Sequence, residues 1–198
     1  MRVFVDYRDF QRGADDVAGG TFEPDWARLV WWLGIEAVCL ASAVPASAVR
    51  FEGAAVYVAV TRGAADGALR SWAATDLAGI PGVSAVLTEV EGGTASLCDS
   101  CGTCDGTSGR CGSGASVSAE EAVSAAVRAD LLRLSREDAF DWAVVASSDR
   151  RLAAVARLLV GRGHRLVHAG FPPRGRELAA ACSASLDLRQ HLRGLERV

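Results

Sequence analysis

Two aspartates close short apolar runs in this sequence. Asp6 follows Val3-Phe4-Val5, and Asp149 follows Trp142-Ala143-Val144-Val145-Ala146 and two serines. A third acid, Asp130, falls inside a helical apolar stripe of Val123, Val127, Leu131 and Leu134, about 20° from Val123 at about 100° per residue. A carboxylate on a buried face needs a partner, a metal or a wet cavity, because an unpaired charge is costly to desolvate. Carboxylates gathered in one place repel one another unless a divalent cation neutralises them. Oxygen donors suit a hard cation, Mg²⁺ or Mn²⁺. Such a centre does phosphoryl or phosphodiester chemistry by activating water and stabilising oxygen charge. The plainer reading of Asp149, or of Ser148 before it, is a helix N-cap.

A second constellation is Cys98-Asp99-Ser100-Cys101-Gly102-Thr103-Cys104 with Cys111, four cysteines within 14 residues. In the cytosolic chain expected from this sequence, that density argues for metal over disulfide. Cys98-x-x-Cys101 is a knuckle suited to tetrahedral, structural Zn²⁺, and glycines at 102, 106, 109 and 112 permit its tight turns. An iron–sulfur cluster is the minority option, and a thiol-bearing loop without metal is the plainest one. The histidines form no cluster: His164 and His168 share one strand and read as structural, and His191 lies near the end. Trp26, Trp31 and Trp32 crowd one helix, which suits core or partner contact.

The elements that must position these groups alternate. The run 142–146 is too apolar for a half-exposed strand and suits one covered on both faces, as in a parallel sheet. Further strands are expected at 2–6, 54–60, 83–90, 164–169 and 185–188. Helices are expected from Pro24-Asp25, over 65–78, from Ser118 with a capping box to Glu121, over 150–162 and over about 175–183. Residues 11–21 read as a polar loop, and 37–48 are ambiguous. Alternating strands and helices imply an α/β fold: a single-domain, three-layer Rossmannoid architecture over 1–198, with a mostly parallel sheet, helices on both faces and a Cys-rich insert at 92–116. Asp6 and Asp149 then stand at the carboxyl edge, where open α/β sheets bind ligands.

Half of the 198 residues are hydrophobic, enough for one well-packed domain. No apolar run reaches the roughly 18 residues of a membrane span, and no signal peptide precedes the first strand, so a cytoplasmic protein without membrane contact is expected. Net charge is −3, which excludes nucleic-acid binding by overall field. Residues 1–120 hold 8 arginines against 15 acids, and the remainder 13 against 9, so a local arginine surface in the C-terminal part stays open. Arg150, Arg151 and Arg157 are the candidates there to hold a phosphate backbone.

Val3-Phe4-Val5-Asp6-Tyr7-Arg8-Asp9-Phe10 resembles the opening strand of the NYN domain, a branch of the PIN-like nucleases, which typically reads hydrophobic-Asp-x-x-Asn. Val144-Val145-Ala146-Ser147-Ser148-Asp149 is similar to that family's strand ending in Ser-Gly-Asp. Gly175 to Cys182 with Leu186-Asp187-Leu188 resembles its closing helix and strand. The resemblance implies a metal-dependent ribonuclease-like domain acting on RNA, preferentially single-stranded; a homo-oligomer or a protein partner stays open. It implies Asp6, Asp149 and Asp130 as Mg²⁺ or Mn²⁺ ligands, with Asp9, at the Asn position, as a fourth catalytic acid.

The departures from the family pattern favour the competing reading, a non-catalytic RNA-binding or protein-interaction module. Glu121-Ala122-Val123-Ser124 stands where the family has Lys-Gly-Val-Asp, which leaves Ser124 in the place of an acid. Arg151 replaces another acid. Glu120 or Glu121 is the available substitute, and Ser124→Asp is expected to tighten metal binding if position 124 faces the site. A different doubly wound fold, with Asp6 handling phosphate, is a third reading.

Overall fold

Six strands form one sheet in the computed structural model, which describes residues 1–63, 66–90 and 118–197. They are β1 (Arg2–Asp6), β2 (Gly53–Thr61), β3 (Val83–Val90), β4 (Trp142–Ala146), β5 (Arg165–Gly170) and β6 (Ala184–Asp187). Their order is β3-β2-β1-β4-β5-β6, and every neighbouring pair is parallel. Seven α-helices accompany them among the described residues: α1 (Tyr7–Ala18), α2 (Trp26–Gly34), α3 (Glu36–Ser42), α4 (Gly67–Trp72), α5 (Ala119–Arg136), α6 (Ala153–Gly161) and α7 (Arg176–Ala179).

Strand side chains alternate between two apolar layers, which is how a parallel sheet buries both faces. Val3, Val5, Val56, Val58, Val144 and Val167 pack with Phe10, Leu29, Val30, Leu33 and Ala37 from α1, α2 and α3. Phe4, Tyr57, Val145 and Leu166 pack on the opposite face with Val123, Val127 and Leu131 of α5, Leu159 of α6 and Leu178 of α7. The three-layer α/β architecture with helices on both faces is therefore present. Among the described residues no helix is long and apolar enough to cross a membrane. The insert at 92–116, with Cys98, Cys101, Cys104 and Cys111, lies outside the described residues.

The chain moves outward from β1 through β2 to β3, then returns to place β4 on the other side of β1. That reversal opens a crevice at the carboxyl ends of β1 and β4, where open α/β sheets take ligands. Val5 pairs with Ala146, so the two strands deliver Asp6 and Ser147-Ser148-Asp149 to the same edge.

The stretch expected to be a loop after Phe10 is helix instead. Asp6 caps α1, its carboxylate accepting the Asp9 N–H at 3.2 Å, and Gly19 ends the helix in the left-handed region at φ 72°. Its buried face is Phe10, Gly13 and Ala14, too small a stripe to announce itself in sequence. Gly13 tolerates the usual helix penalty because a Cβ there would sit 2.1 Å from the Phe171 ring. The other difference is α7, which stops at Ala179 rather than near 183. Beyond it the chain turns so that the Ser183 N–H donates to the Leu166 carbonyl at 2.8 Å and enters β6.

Candidate active site

The crevice above β1 and β4 is a cleft of about 480 Å³ that five acids line from five elements. Asp6 ends β1, Asp9 lies in the first turn of α1, Glu120 in the first turn of α5, Asp149 just beyond β4, and Glu177 in the first turn of α7. Asp6 is the buried member, 8% exposed. Burial drives its carboxyl up, the bond from the Asp9 N–H opposes this, and the charges of Asp9, Asp149 and Glu120 add to the rise, to about 7. Without a cation, this cleft lowers its own charge by keeping a proton on Asp6 near neutrality.

The other acids are held in different ways. Asp149 caps the 3₁₀ turn Arg150–Leu152, accepting the Arg151 N–H at 2.8 Å, so the capping reading of this residue is correct as local structure. The Arg151 guanidinium also lies 3.3 Å from Asp149 and 3.6 Å from Glu121. Arg12 lies 3.6 Å from Glu120. Asp9 accepts from Ser148 with both oxygens, from the hydroxyl at 2.5 Å and from the backbone N–H. Arg8, Arg150 and Arg176 also line the cleft and form no ion pair with described residues, which leaves their guanidinium groups for an anion.

Not every expected residue arrives here. Asp130 does not line the cleft. It lies seven residues beyond Val123 on α5, roughly 10 Å along the axis. The partner its buried-face position called for is Tyr57, whose hydroxyl donates to it at 2.8 Å, with Arg133 at 3.0 Å. Arg157 is exposed on α6, away from the cleft. Ser124 is 1% exposed and its hydroxyl has no hydrogen-bond partner among the described residues, while the acid that α5 presents to the cleft is Glu120. Arg8, Arg12 and Arg176 were not legible from sequence. Arg8 and Arg12 are one helical turn apart on α1, a signal that exists only once residues 7–18 are known to be a helix.

His168, on β5, is buried and is held neutral by desolvation. A carbonyl only accepts, so Nε2 carries the hydrogen and donates to the Ser147 carbonyl at 3.0 Å, leaving Nδ1 to accept from the Ser185 hydroxyl at 3.1 Å. Gly175 makes room for this ring: at φ 73° it carries no Cβ, which would lie 2.6 Å from Nε2. The expectation of a structural histidine is met, and the structure it holds is the turn that carries Asp149.

Among the described residues no three His, Cys, Asp or Glu side chains are already drawn together at metal-binding distance. The carboxylates share a cleft rather than a closed cage. No protein-family model matches the chain, and no curated protein sequence matches it. A crystal structure of a protein of unknown function from Vibrio parahaemolyticus is similar, with a TM-score of 0.58 and 12% identity over 95% of this chain and 93% of that one. That likeness extends to the fold. The chain is thus a single-domain, Rossmann-like three-layer α/β protein. Its candidate site is a cleft of acids and arginines at the sheet's switch point.

Proposed function

We propose that this chain is a metal-dependent ribonuclease-like domain of the NYN and PIN-like kind, hydrolysing RNA phosphodiesters in the switch-point cleft. The observation that carries the reading is the meeting of Asp6, Asp149 and Glu120 on one cleft, with Asp6 pushed up to about 7 by burial and neighbouring charge. The choice of RNA comes from the resemblance of residues 3–10 and 144–149 to that family.

The donor set fits Mg²⁺ or Mn²⁺. These ions prefer oxygen and keep several waters, binding through one or two carboxylates and substrate phosphate, so an open cleft suits them better than a cage would. Asp6 and Asp149 would hold the ion, with Glu120 across the cleft. When bound, the ion would supply acidified water and neutralise phosphate charge. The chain's own residues do the rest. Asp6, whose proton is held up to about 7, would have to be ionised to act as a ligand. Arg151, 3.3 Å from Asp149, and Arg12, 3.6 Å from Glu120, would restrain the two carboxylates at the cleft. Arg8, Arg150 and Arg176 bind phosphate oxygens and register the backbone. Purified protein is expected to cleave single-stranded RNA with Mn²⁺. No cleavage of varied RNAs with either metal would favour the second reading, a non-catalytic RNA-binding or protein-interaction module. The ion pairs of Arg12 and Arg151 favour that alternative, because they already neutralise two of the acids.

The geometry separates Ser124 from Glu120. Ser124→Asp is expected to destabilise the fold by about 2–4 kcal/mol, because a carboxylate placed there is buried without a partner. It should leave Mn²⁺ affinity no better than before, whereas Glu120→Gln should weaken it about tenfold. Thermal unfolding and metal titration of the two variants check this. A Ser124→Asp protein of unchanged stability and tighter metal binding would show that position 124 faces the site.

For the insert, we propose one structural Zn²⁺ on Cys98, Cys101, Cys104 and Cys111. Metal analysis should find about one zinc per chain, lost in a Cys101→Ser, Cys104→Ser double variant. Iron absorbance, or a metal-free protein indifferent to chelator, would contradict it.

A further inference from the structure

Asp9 makes contacts that differ from those of the other cleft acids. Its backbone N–H donates to the Asp6 carboxylate at 3.2 Å. Its own carboxylate takes two bonds from Ser148, from the hydroxyl at 2.5 Å and from the backbone N–H. One residue of α1 is therefore bonded both to the acid ending β1 and to the residue directly before the acid following β4. On the far side of the same turn, His168 donates to the Ser147 carbonyl at 3.0 Å, and the Asp149 N–H donates to the Ser147 hydroxyl at 3.2 Å. The turn from Ser147 to Asp149 is thus gripped from α1 and from β5.

From this geometry we infer that Asp9 is a positioning residue, which sets Asp149 relative to Asp6 through Ser148, and is not itself a metal ligand. The inference rests on the metal-site reading above for its consequence, although the clamp is a property of the metal-free protein. The chemistry of the two roles differs. A carboxylate ligand gives a hard cation its charge as well as an oxygen, and a neutral amide oxygen is a weaker substitute. A clamp on Ser148 needs one acceptor for the N–H and a second group able to bond the hydroxyl. A carboxamide provides both: its oxygen accepts the N–H, and its NH₂ donates to the hydroxyl oxygen, which is acceptor as well as donor. Asn at this position keeps the clamp and removes the charge, whereas Ala removes both.

The test uses the full-length protein, reading Mn²⁺ binding by titration calorimetry and exchange of the Ser148 amide by NMR in the metal-free state. Wild type and Asp9→Asn are expected to protect the Ser148 amide equally and to bind Mn²⁺ within about threefold of each other, while Asp9→Ala loses the protection and binds at least about tenfold more weakly. Ser148→Ala, which keeps the N–H bond and loses the hydroxyl bond, should fall between them. It carries the test if Asp9→Ala does not fold. Equal weakening in Asp9→Asn and Asp9→Ala, with the Ser148 amide still protected in both, would make Asp9 a ligand and overturn the inference. If wild type binds no Mn²⁺, the metal reading fails, and the exchange data alone decide the clamp. Protection kept in Asp9→Asn and lost in Asp9→Ala upholds it, and protection unchanged in Asp9→Ala refutes it.

Discussion

Asp6→Asn and Asp149→Asn should each lower Mn²⁺-dependent cleavage of single-stranded RNA by at least about a hundredfold in kcat/KM, since a direct ligand matters more than the 10–100-fold typical of its supports. The substitutions suit the purpose because both acids also cap helical turns, and Asn caps as well as Asp. The Asp9 N–H still finds an acceptor at position 6, and the Arg151 N–H still finds one at position 149. Loss of activity would then report loss of charge at the cleft rather than loss of fold, and circular dichroism of the variants should match wild type. Arg150→Ala is a useful contrast: a phosphate contact should raise KM and steepen no metal dependence. Cleavage that survives in both asparagine variants would remove Asp6 and Asp149 from the chemistry.

The second large effect is on stability, and its sign is opposite. The folded protein holds a proton on Asp6 up to about 7, because the side chain is buried and faces Asp9, Asp149 and Glu120, whereas its ordinary value is 3.8. Between these values the folded state binds more protons than the unfolded one, so stability falls as pH rises through the window. The contribution is fully present below about pH 4 and lost above about pH 7, and its size is up to about 4 kcal/mol. Metal-free wild type should therefore lose stability from about pH 4 to about pH 7 in urea denaturation, more steeply than Asp6→Asn does. Above about pH 7 the asparagine variant should be the more stable protein, although it is the inactive one. Mn²⁺ at alkaline pH should restore wild type and leave the variant unmoved, because a cation that binds only the folded, ionised cleft stabilises it by mass action. A pH profile identical in wild type and Asp6→Asn would mean that Asp6 is not the proton-holding group.

Together these results form a signature that unfolding cannot imitate. One substitution abolishes the reaction and strengthens the fold, which is the behaviour of a carboxylate kept in an unfavourable place for its chemistry. A core substitution would lower both.

The sequence by itself determined the class of fold and the two acids at its centre. An apolar run such as 142–146 is long enough to identify a strand buried on both faces, because burial leaves no room for polar alternation. The capping box of Ser118 and Glu121 announced α5 for a similar reason: it depends on residues three apart in the chain, and the structure contains both of its bonds. Asp6 and Asp149 were legible because a strand's end is a local event, and parallel neighbours put their ends on the same edge.

What the tertiary structure decided was which side chains meet. Helical angle placed Asp130 on a buried face but could not say that Tyr57, from β2, waits there to donate a hydrogen bond. At about 100° from Val123, Ser124 lies at the margin of the α5 stripe, and only the tertiary structure shows it buried and Glu120 at the cleft. The first helix was hidden because its buried stripe is small, and Gly13 makes sense only beside the ring of Phe171, more than 150 residues away in the chain. With that helix hidden, so were Arg8 and Arg12. Periodicity reports which face of an element is buried. It carries no information about the partner on the far side: α1 and β5 supply the bonds that hold the turn carrying Asp149, burial and neighbouring acids raise the proton affinity of Asp6, and Tyr57 of β2 pairs with Asp130 outside the cleft.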